Sequence, residues 1–232
     1  MDVVGSKTLE IMGAASWYHK WMIARVKKYI NGDILEVGAG LGNVTKLLVK
    51  YGNVTAIDFD KRYLSKLKKK KYNAGFGDIE KGQYFFSTKS GHRGKKFDTI
   101  VSTNVLEHIG NDKRALKNMF RLLKKEGRLI LLVPAHQWAY GKIDRELGHL
   151  RRYNKQGLTK MFLEVGFKIE AARYLNWFSL PGWILNGRIL KRGLIPLRQL
   201  KIFDIIARPF LLMENVIKFP FGQSVLIVGK RK

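Results

Sequence analysis

The sequence contains no cysteine, few acidic residues and no apolar run long enough to suggest a membrane span. The lack of cysteine excludes disulfide bonds, thiolate metal sites and a cysteine nucleophile, and it fits a reducing compartment. The first thirty residues are interrupted by charges and show no signal peptide. We therefore expect a cytoplasmic protein, with a location peripheral to the membrane as the alternative.

The acidic residues are outnumbered by basic ones. The chain has 44 Lys plus Arg against 18 Asp plus Glu, a formal net charge of +26. An excess this large favours a polyanionic partner, either nucleic acid or an anionic membrane surface. The alternative is a lysine-rich surface that only keeps the protein in solution. The seven basic residues within 61–71 are interpreted first as a solvated helix face.

A glycine-rich turn between two apolar segments is the most informative feature that is present. Residues 34–43 read Ile-Leu-Glu-Val-Gly-Ala-Gly-Leu-Gly-Asn, and residues 54–60 read Val-Thr-Ala-Ile-Asp-Phe-Asp. The apolar segments are typical of strands in a parallel sheet that is covered on both faces. Glycines let the backbone turn tightly and let a ligand approach it, and Asp58 can accept hydrogen bonds from both hydroxyls of a ribose. The pattern predicts a nucleotide-type cofactor site.

The spacing of the glycines distinguishes between cofactors. A dinucleotide site has G-x-G-x-x-G, whereas here the third glycine comes one residue early and Asn43 occupies the dinucleotide position. Glu36, two residues before the first glycine, would repel a pyrophosphate and suits a positively charged ligand such as an ammonium or a sulfonium. On these residues the chain resembles the class I S-adenosylmethionine-dependent methyltransferases of the small-molecule, ubiquinone-menaquinone type. In that family, E/D-x-G-x-G-x-G and an acid ending the second strand hold the cofactor.

The resemblance implies that the cofactor is S-adenosylmethionine, with S-adenosylhomocysteine as product. No metal is expected, because the five histidines are scattered along the sequence without a paired carboxylate spacing. The residues that the resemblance places at the cofactor are Tyr18, Glu36, Gly38, Ala39, Gly40, Gly42, Asn43, Asp58, Phe59, Asp78, Ile79, Asn104, Val105 and Leu106.

Particular roles within that set also come from the resemblance. Asp78 and Ile79 would face the adenine amino group, and residues 104–106 would line the cofactor beyond the fourth strand. Tyr18 would cover the methionine part from the opening helix. Its neighbours Trp17 and Trp21, four residues apart, are instead interpreted as core anchors. His108 is expected to order its loop rather than to act as a base.

A second informative segment, residues 144–154, reads Asp-Arg-Glu-Leu-Gly-His-Leu-Arg-Arg-Tyr-Asn. It follows the fifth predicted strand, where many class I methyltransferases place substrate-binding elements. It resembles a G-H-x-R-R-Y segment of a subset of bacterial and archaeal enzymes that is loosely associated with polyprenol or glycan pathways. His149 is the candidate catalytic residue, because an imidazole can take a proton from a hydroxyl nucleophile near neutral pH.

The two arginines of this segment are candidates for binding the substrate. Arg151 and Arg152 could hold a carboxylate or phosphate with their planar guanidinium groups, and Tyr153 is assigned to the same site. The alternative is a loop before a helix, in which the arginines pair with Asp144 or Glu146.

The order of the elements predicts the fold class. Strands and helices alternate with a repeat near thirty residues, which indicates an α/β doubly wound, Rossmann-like methyltransferase sheet of seven strands, one antiparallel at the edge, with helices on both faces. We expect one domain over residues 1–232. Its parts are a helical lid (1–30, with a helix from about Thr8 to Tyr29), a core sheet (31–174), a basic and aromatic insertion between the last two strands (175–223), and the last strand and tail (224–232).

Three functions compete. The first is methyl transfer to a small-molecule or lipid- or glycan-linked acceptor, at a membrane surface, because the insertion combines Trp177 and Trp183 with arginines and lysines as an interfacial element does. The second is methylation of tRNA or rRNA, which the charge favours, although no RNA-binding module is recognisable. The third is a non-catalytic scaffold, against which the intact glycine loop and Asp58 argue.

Overall fold

Eight strands form one mixed sheet in the computed structural model, which describes residues 16–85, 95–193 and 197–232. The strands are β1 (Asp33–Val37), β2 (Asn53–Asp58), β3 (Ala74–Asp78), β4 (Gln83–Phe85), β5 (Phe97–Thr103), β6 (Leu123–Pro134), β7 (Phe167–Leu175) and β8 (Ser224–Arg231). Their order across the sheet is β4-β3-β2-β1-β5-β6-β8-β7. Strands β3, β2, β1, β5 and β6 run parallel to one another. The predicted α/β doubly wound fold class is confirmed.

The described helices lie between the strands along the chain and within the insertion. They are α1 (Ser16–Val26), α2 (Thr45–Leu48), α3 (Lys61–Lys69), α4 (Asp112–Leu122), α5 (Lys142–Glu146), α6 (Lys155–Val165), α7 (Ser179–Ile184) and α8 (Leu197–Met213). Three 3₁₀ turns cover Lys27–Tyr29, Leu106–His108 and Gln137–Ala139, and a π turn covers Leu185–Ile189.

The strand count and the place of the antiparallel strand differ from the prediction. The extra strand, β4, has three residues and is too short to show a periodic pattern in the sequence. It pairs antiparallel with β3 at the edge. The last strand, β8, lies inside the sheet, antiparallel to both β6 and β7, so that both of its edges are hydrogen-bonded.

Two predicted helices have other bounds. The start expected near Thr8 lies outside the described residues, and the helix proper ends at Val26 before the 3₁₀ turn. The helix predicted over Asn43–Tyr51, after the glycine loop, is reduced to Thr45–Leu48, because turns occupy the residues on both sides.

Alternating apolar residues of the central strands bury both faces of the sheet. On one face Leu35, Ile100 and Leu131 join a core cluster that includes Leu116 of α4 and Phe162 of α6. On the other face their neighbours belong to a second cluster with residues of α1 and α8, namely Ile34, Val101, Ile130, Met22 and Leu211. This two-sided burial explains why the strands appear in the sequence as continuous apolar runs.

Helix α3 shows how the basic run folds. The side chain of Asp60 caps the helix by accepting a hydrogen bond from the backbone N–H of Arg62 at 2.9 Å. Tyr63, Leu64 and Leu67 are buried against the sheet, and the lysines of this helix are exposed. The segment is therefore the solvated helix face of the first interpretation.

The insertion leaves the sheet at Leu175 and returns at Ser224, and these two residues are paired in the β7–β8 ladder. Between them lie α7, the π turn and α8, which has Pro209 within it. Ala207 and Leu211 of α8 are buried in the second core cluster. In the part of the chain that the structure describes, no helix combines the length and apolar character needed to cross a membrane.

Candidate active site

A cavity of about 680 Å³ lies at the carboxyl ends of the parallel strands, the edge at which open α/β sheets bind ligands. Its wall combines the glycine loop, the residues that end β2, β3 and β5, and parts of α1, α7 and α8. Apart from Gly42 and Leu106, every residue predicted to hold the cofactor lines this cavity.

The glycine loop turns in a conformation that a side chain would disrupt. Gly38 has φ of +75°, and a Cβ atom there would lie 2.3 Å from Cγ2 of Val105. The backbone N–H groups of Gly38 and Ala39 both donate to the carbonyl of Ile57, at 2.8 and 3.1 Å. The loop is thus tied to the end of β2 and leaves its own backbone close to the cavity.

Asp58 connects the glycine loop with the residues that follow β2. Its Oδ2 accepts a hydrogen bond from the N–H of Gly40 at 2.8 Å, and its Oδ1 accepts one from the N–H of Asp60 at 2.9 Å. Burial raises the pKa of the Asp58 carboxyl, and these backbone bonds oppose the rise. A carboxylate has about four acceptor positions, so the backbone bonds from Gly40, Phe59 and Asp60 leave room for a ligand.

Glu36 is the second acid of the site and is only 3% exposed. Its Oε2 accepts a hydrogen bond from the hydroxyl of Thr45. Burial raises the pKa of Glu36 to about 8, and the nearby Asp58 carboxylate adds to the rise. A positively charged ligand beside Glu36 would favour its ionised form.

Two predicted cofactor residues pack elsewhere. Leu106 is fully buried in the first core cluster. Gly42, with φ of +80°, faces Leu67 and Tyr72, and a Cβ atom there would lie 2.9 Å from Cδ2 of Leu67. The structure therefore gives Gly42 a part in fitting the loop against its neighbours and gives Leu106 a part in the core.

The opening helix contributes Trp17 and Tyr18 to the cavity wall. Burial raises the pKa of Tyr18 to about 12, while side-chain hydrogen bonds with Asn176 and Ser224 oppose the rise. Trp21 is buried and donates from Nε1 to the carbonyl of Leu211 at 3.1 Å. Trp21 is the core anchor that was predicted, whereas Trp17 also borders the cavity.

Asp144 and His149 form a hydrogen-bonded pair at the cavity. Nδ1 of His149 lies 2.8 Å from Oδ1 of Asp144. The same carboxylate accepts from Nε of Arg152 at 2.8 Å, from the N–H of Gly141 at 2.9 Å and from Nε1 of Trp183 at 3.3 Å. Burial alone would raise the pKa of Asp144, but the bonds from His149 and Arg152 hold it below its usual range.

The pair determines the tautomer of His149. An ionised carboxylate only accepts hydrogen bonds, so Nδ1 carries the hydrogen and Nε2 keeps a free lone pair. His149 itself lines the cavity, whereas Asp144 is fully buried behind it. The arrangement holds a proton acceptor in one orientation at the cavity wall.

Folding brings together two histidines that the sequence analysis treated as scattered. The rings of His108 and His149 lie 4.8 Å apart between centroids, and burial, with the nearby His149, lowers the pKa of His108 to about 4. Glu107 beside them is fully buried, and neither of its oxygens has a hydrogen-bond partner. Burial raises the pKa of Glu107 to about 8.

These three residues offer ligand atoms within 4.8 Å of one another. Metal–ligand bonds of about 2.0–2.2 Å would draw such atoms closer together than that limit. We assign no metal to the group.

Arg152 does not reach the cavity. Its side chain is fully buried, where Nη1 donates to the carbonyl of Ala135 at 2.9 Å and the guanidinium lies 4.7 Å from the ring centroid of Trp183. Its ion pair with Asp144 is the one that the alternative interpretation of this segment named.

Arg151 and Tyr153 also lie away from the cavity wall. Nη1 of Arg151 pairs with Oδ2 of Asp112 at 2.9 Å, so its acid is neither of the two that were named. The hydroxyl of Tyr153 donates to the carbonyl of Leu106 at 3.2 Å and is also 3.2 Å from Asp112. The geometry gives these residues structural partners and does not place them at a substrate.

The hydrogen bonds of Asp144 with His149 and with Trp183 were not predicted from the sequence. The spacing of Asp144 and His149 has no motif of its own, because the pair forms only once α5 ends and the chain turns back. Trp183 comes from the insertion, 39 residues after Asp144, and no local signal connects them.

Comparisons with known proteins agree with this geometry. Residues 22–172 match a family model described as a methyltransferase domain. A phosphatidylethanolamine N-methyltransferase from Cereibacter sphaeroides is 25% identical over 101 residues, which are 44% of this chain and 50% of that protein. The chain thus matches about half the length of that relative.

Solved structures show the same fold. An S-adenosylmethionine-dependent methyltransferase from Mesorhizobium loti superposes with a TM-score of 0.62 at 14% identity, covering 95% of this chain and 100% of that one. The N-methyltransferase NodS from Bradyrhizobium japonicum, in complex with S-adenosylhomocysteine, gives a TM-score of 0.55 at 16% identity, covering 92% and 85%.

Proposed function

The chain belongs to the methyltransferase-domain family, and on that basis we propose that it transfers a methyl group to a hydroxyl of a lipid-linked acceptor. The predicted enzyme class, an S-adenosylmethionine-dependent class I methyltransferase, is confirmed by the family match. The acceptor and the residues that handle it are the proposed part.

The residues around the cavity fit the cofactor. Asp58 has acceptor capacity left beyond its backbone bonds and would accept from the ribose hydroxyls. Glu36 supplies a buried carboxylate for the positively charged end of the cofactor, and Gly38 leaves room where a Cβ atom would collide with Val105. When bound, the cofactor supplies a methyl group on a sulfonium, which is already activated for displacement.

The Asp144–His149 pair is the observation that carries the proposal. A hydroxyl must lose its proton as it becomes the nucleophile. His149 lines the cavity, and its acceptor is Nε2, which lies 3.9 Å from Oε1 of the buried Glu107. Asp144 holds the ring and stabilises the imidazolium that forms. The glycine loop and the residues from the insertion would hold the reactants in line, which lowers the barrier to the displacement.

The lining of the cavity supports a lipid-linked acceptor over a compact polar one. Trp17, Trp183, Phe203 and Leu211 border it together with the glycine loop. Such side chains accommodate apolar carbon chains without the loss of buried hydrogen bonds. The partial similarity to a phosphatidylethanolamine N-methyltransferase supports the same class, although that enzyme's name refers to a nitrogen acceptor.

Methylation of RNA is the second candidate, and one surface favours it. A depression beside α4 is lined by five basic residues and no acidic one among the described residues: Lys81, Lys113, Arg114, Lys117 and Arg121. Such a patch attracts phosphates. The match to a methyltransferase domain argues against the third function, a non-catalytic scaffold.

Labelled methyl transfer separates the candidates. The full-length protein is incubated with methyl-labelled S-adenosylmethionine and either a total lipid extract or total RNA, and label is counted in each. We expect alkali-stable label in the lipid fraction, as an ether gives, and its loss in His149→Ala. Label in RNA alone would replace the proposal with the second candidate.

A further inference from the structure

Helix α8 exposes a continuous apolar stripe. Counting 100° per residue, its members fall within about 120° of the helix circumference. They are Ile202, Ile205, Ile206, Pro209, Leu212 and Met213, and the five without a ring are between 43% and 63% exposed. The apolar surface continues past the helix end through Val216, which is 87% exposed, and Ile217. Exposed apolar area that is continuous in this way marks a surface for a partner or a membrane.

The opposite side of the same helix borders the cavity. Phe203, Ala207 and Leu211 line it, and Ala207 and Leu211 are almost fully buried. One helix therefore separates the cavity from the apolar stripe, with the stripe facing outward. A partner that covers the stripe lies one helix diameter, about 10 Å, from the cavity.

The charge around the stripe is positive. Between residues 185 and 221 the acids are Asp204 and Glu214. Asp204 pairs with Arg208 and Glu214 is only 7% exposed, so neither offers a free surface anion. The exposed basic residues of the same stretch are Arg188, Lys191, Arg192, Arg208 and Lys218. Apolar residues with Arg208 on the same helix, Lys218 just after it and few acids along the stretch match an anionic lipid surface, which takes the apolar side chains into its interface and pairs its headgroups with the cations.

We infer that the outer face of α8, together with Val216 and Ile217, docks on an anionic phospholipid bilayer. The inference rests on the proposed function only for the idea that a lipid-linked acceptor enters the cavity beside this helix. A second copy of the chain is the less suitable occupant, because two such surfaces would bring their basic residues together and repel each other.

Vesicle co-sedimentation tests the inference with the full-length protein. The probes are vesicles of phosphatidylcholine alone and vesicles in which half of the lipid is phosphatidylglycerol. We expect binding to the anionic vesicles, weaker binding in high salt, and little binding to phosphatidylcholine. The double variant Ile205→Ser/Ile206→Ser should bind the anionic vesicles at least about tenfold more weakly, since two large apolar side chains no longer enter the interface.

Leu163→Ser is the matched control. Leu163 is 56% exposed on α6 and is not part of the stripe, so its loss should leave vesicle binding unchanged. Thermal stabilisation by S-adenosylhomocysteine reports whether each variant is folded. If the double variant is not, Ile202→Ser/Leu212→Ser removes other members of the stripe and should give the same loss.

Three results would overturn the inference. The first is failure of the wild-type protein to bind anionic vesicles, and the second is unchanged binding by the folded stripe variants. The third is a wild-type protein that forms a dimer and does not bind vesicles, with the dimer lost in the stripe variants. Failure of the proposed function looks different, because the protein would bind vesicles yet transfer no label to lipid.

Discussion

Asp144 and His149 lie five residues apart and are joined by a hydrogen bond of 2.8 Å, with the acid fully buried and the imidazole on the cavity wall. The acid belongs to α5, and the histidine follows the turn at the end of that helix. The bond leaves Nε2 as the only ring nitrogen of His149 with a free lone pair. Removal of either partner should therefore alter proton transfer more than binding of the cofactor.

We expect His149→Gln to lower kcat by about 10²- to 10⁴-fold, the range for loss of a general base. Asp144→Asn should have a similar effect, because an amide no longer fixes the tautomer of His149. The dissociation constant of S-adenosylhomocysteine, measured by calorimetry, should change little in both.

His136→Gln provides the control for the base. His136 stacks on Tyr174 with 4.7 Å between ring centroids and does not line the cavity, so kcat should stay near the wild-type value. Asp144 also binds Arg152, and Asp144→Asn must be checked by thermal melting. An unchanged kcat in folded His149→Gln would remove His149 from the chemistry.

Asp58→Ala should weaken binding of S-adenosylhomocysteine by about 100-fold. A hydrogen bond to a charged group contributes about 1.5–3 kcal/mol, and loss of the contacts to both ribose hydroxyls exceeds that of one such bond. Asp33→Asn is the matched control, because Asp33 lies at the opposite end of the neighbouring strand and pairs with Lys124. Equal affinities in the two variants would contradict the assignment of Asp58.

Gly38→Ala should destabilise the protein by about 1–3 kcal/mol, the cost of a strained backbone position. The residue has φ of +75°, and its new methyl group would meet Val105. Gly182→Ala, where no atom lies within 4 Å of the new Cβ, should change the free energy of unfolding little. Addition of Val105→Ala to Gly38→Ala should recover only the part due to the collision. Urea unfolding gives the free energy of unfolding of the wild-type protein and of these three variants.

The buried acid Glu36 should make stability depend on pH. Its pKa is near 4.5 in the unfolded chain and about 8 in the folded protein. Between these values the folded state binds the extra proton, so the free energy of unfolding falls as the pH rises from about 4.5 to 8. Glu36→Gln should flatten this fall and raise the melting temperature at pH 8.

The same substitution should weaken the binding of S-adenosylmethionine, which carries positive charge, because the ionised carboxylate is lost. Stability and affinity should thus move in opposite directions. A variant with wild-type affinity at pH 8 would show that Glu36 does not contact the cofactor.

The placement of the glycine loop beside Asp58 could be predicted because it is local in sequence. A strand, a glycine turn and an acid at the end of the next strand lie within residues 33–58, and parallel pairing of β1 with β2 brings them together. The apolar runs predict strands over Asp33–Val37 and Asn53–Asp58, and these are the bounds of β1 and β2. The sequence prediction was wrong where the periodic pattern was weak: the three-residue strand β4 was not predicted, and helix α2 is shorter than predicted.

The surroundings of His149 could not be predicted to the same depth, because their contacts join distant segments. Asp144 receives hydrogen bonds from Arg152 and from Trp183 of the insertion. From the sequence alone, arginines near a histidine can be assigned equally well to substrate binding or to an ion pair with a buried acid. Only the fold shows that Arg152 is fully buried and engaged with Asp144.

The pairing of Leu175 with Ser224 has an evolutionary consequence. The insertion leaves and rejoins the sheet at two residues that are paired on neighbouring strands. Its length and composition can therefore change without moving a strand that carries the cofactor loop. If the proposed function holds, acceptor recognition can then diversify in this segment while the strands that carry the cofactor loop keep their places. Exchange of the exposed residues of this segment between relatives of this fold, with the core residues Ala207 and Leu211 kept, is accordingly a route to new acceptor specificity.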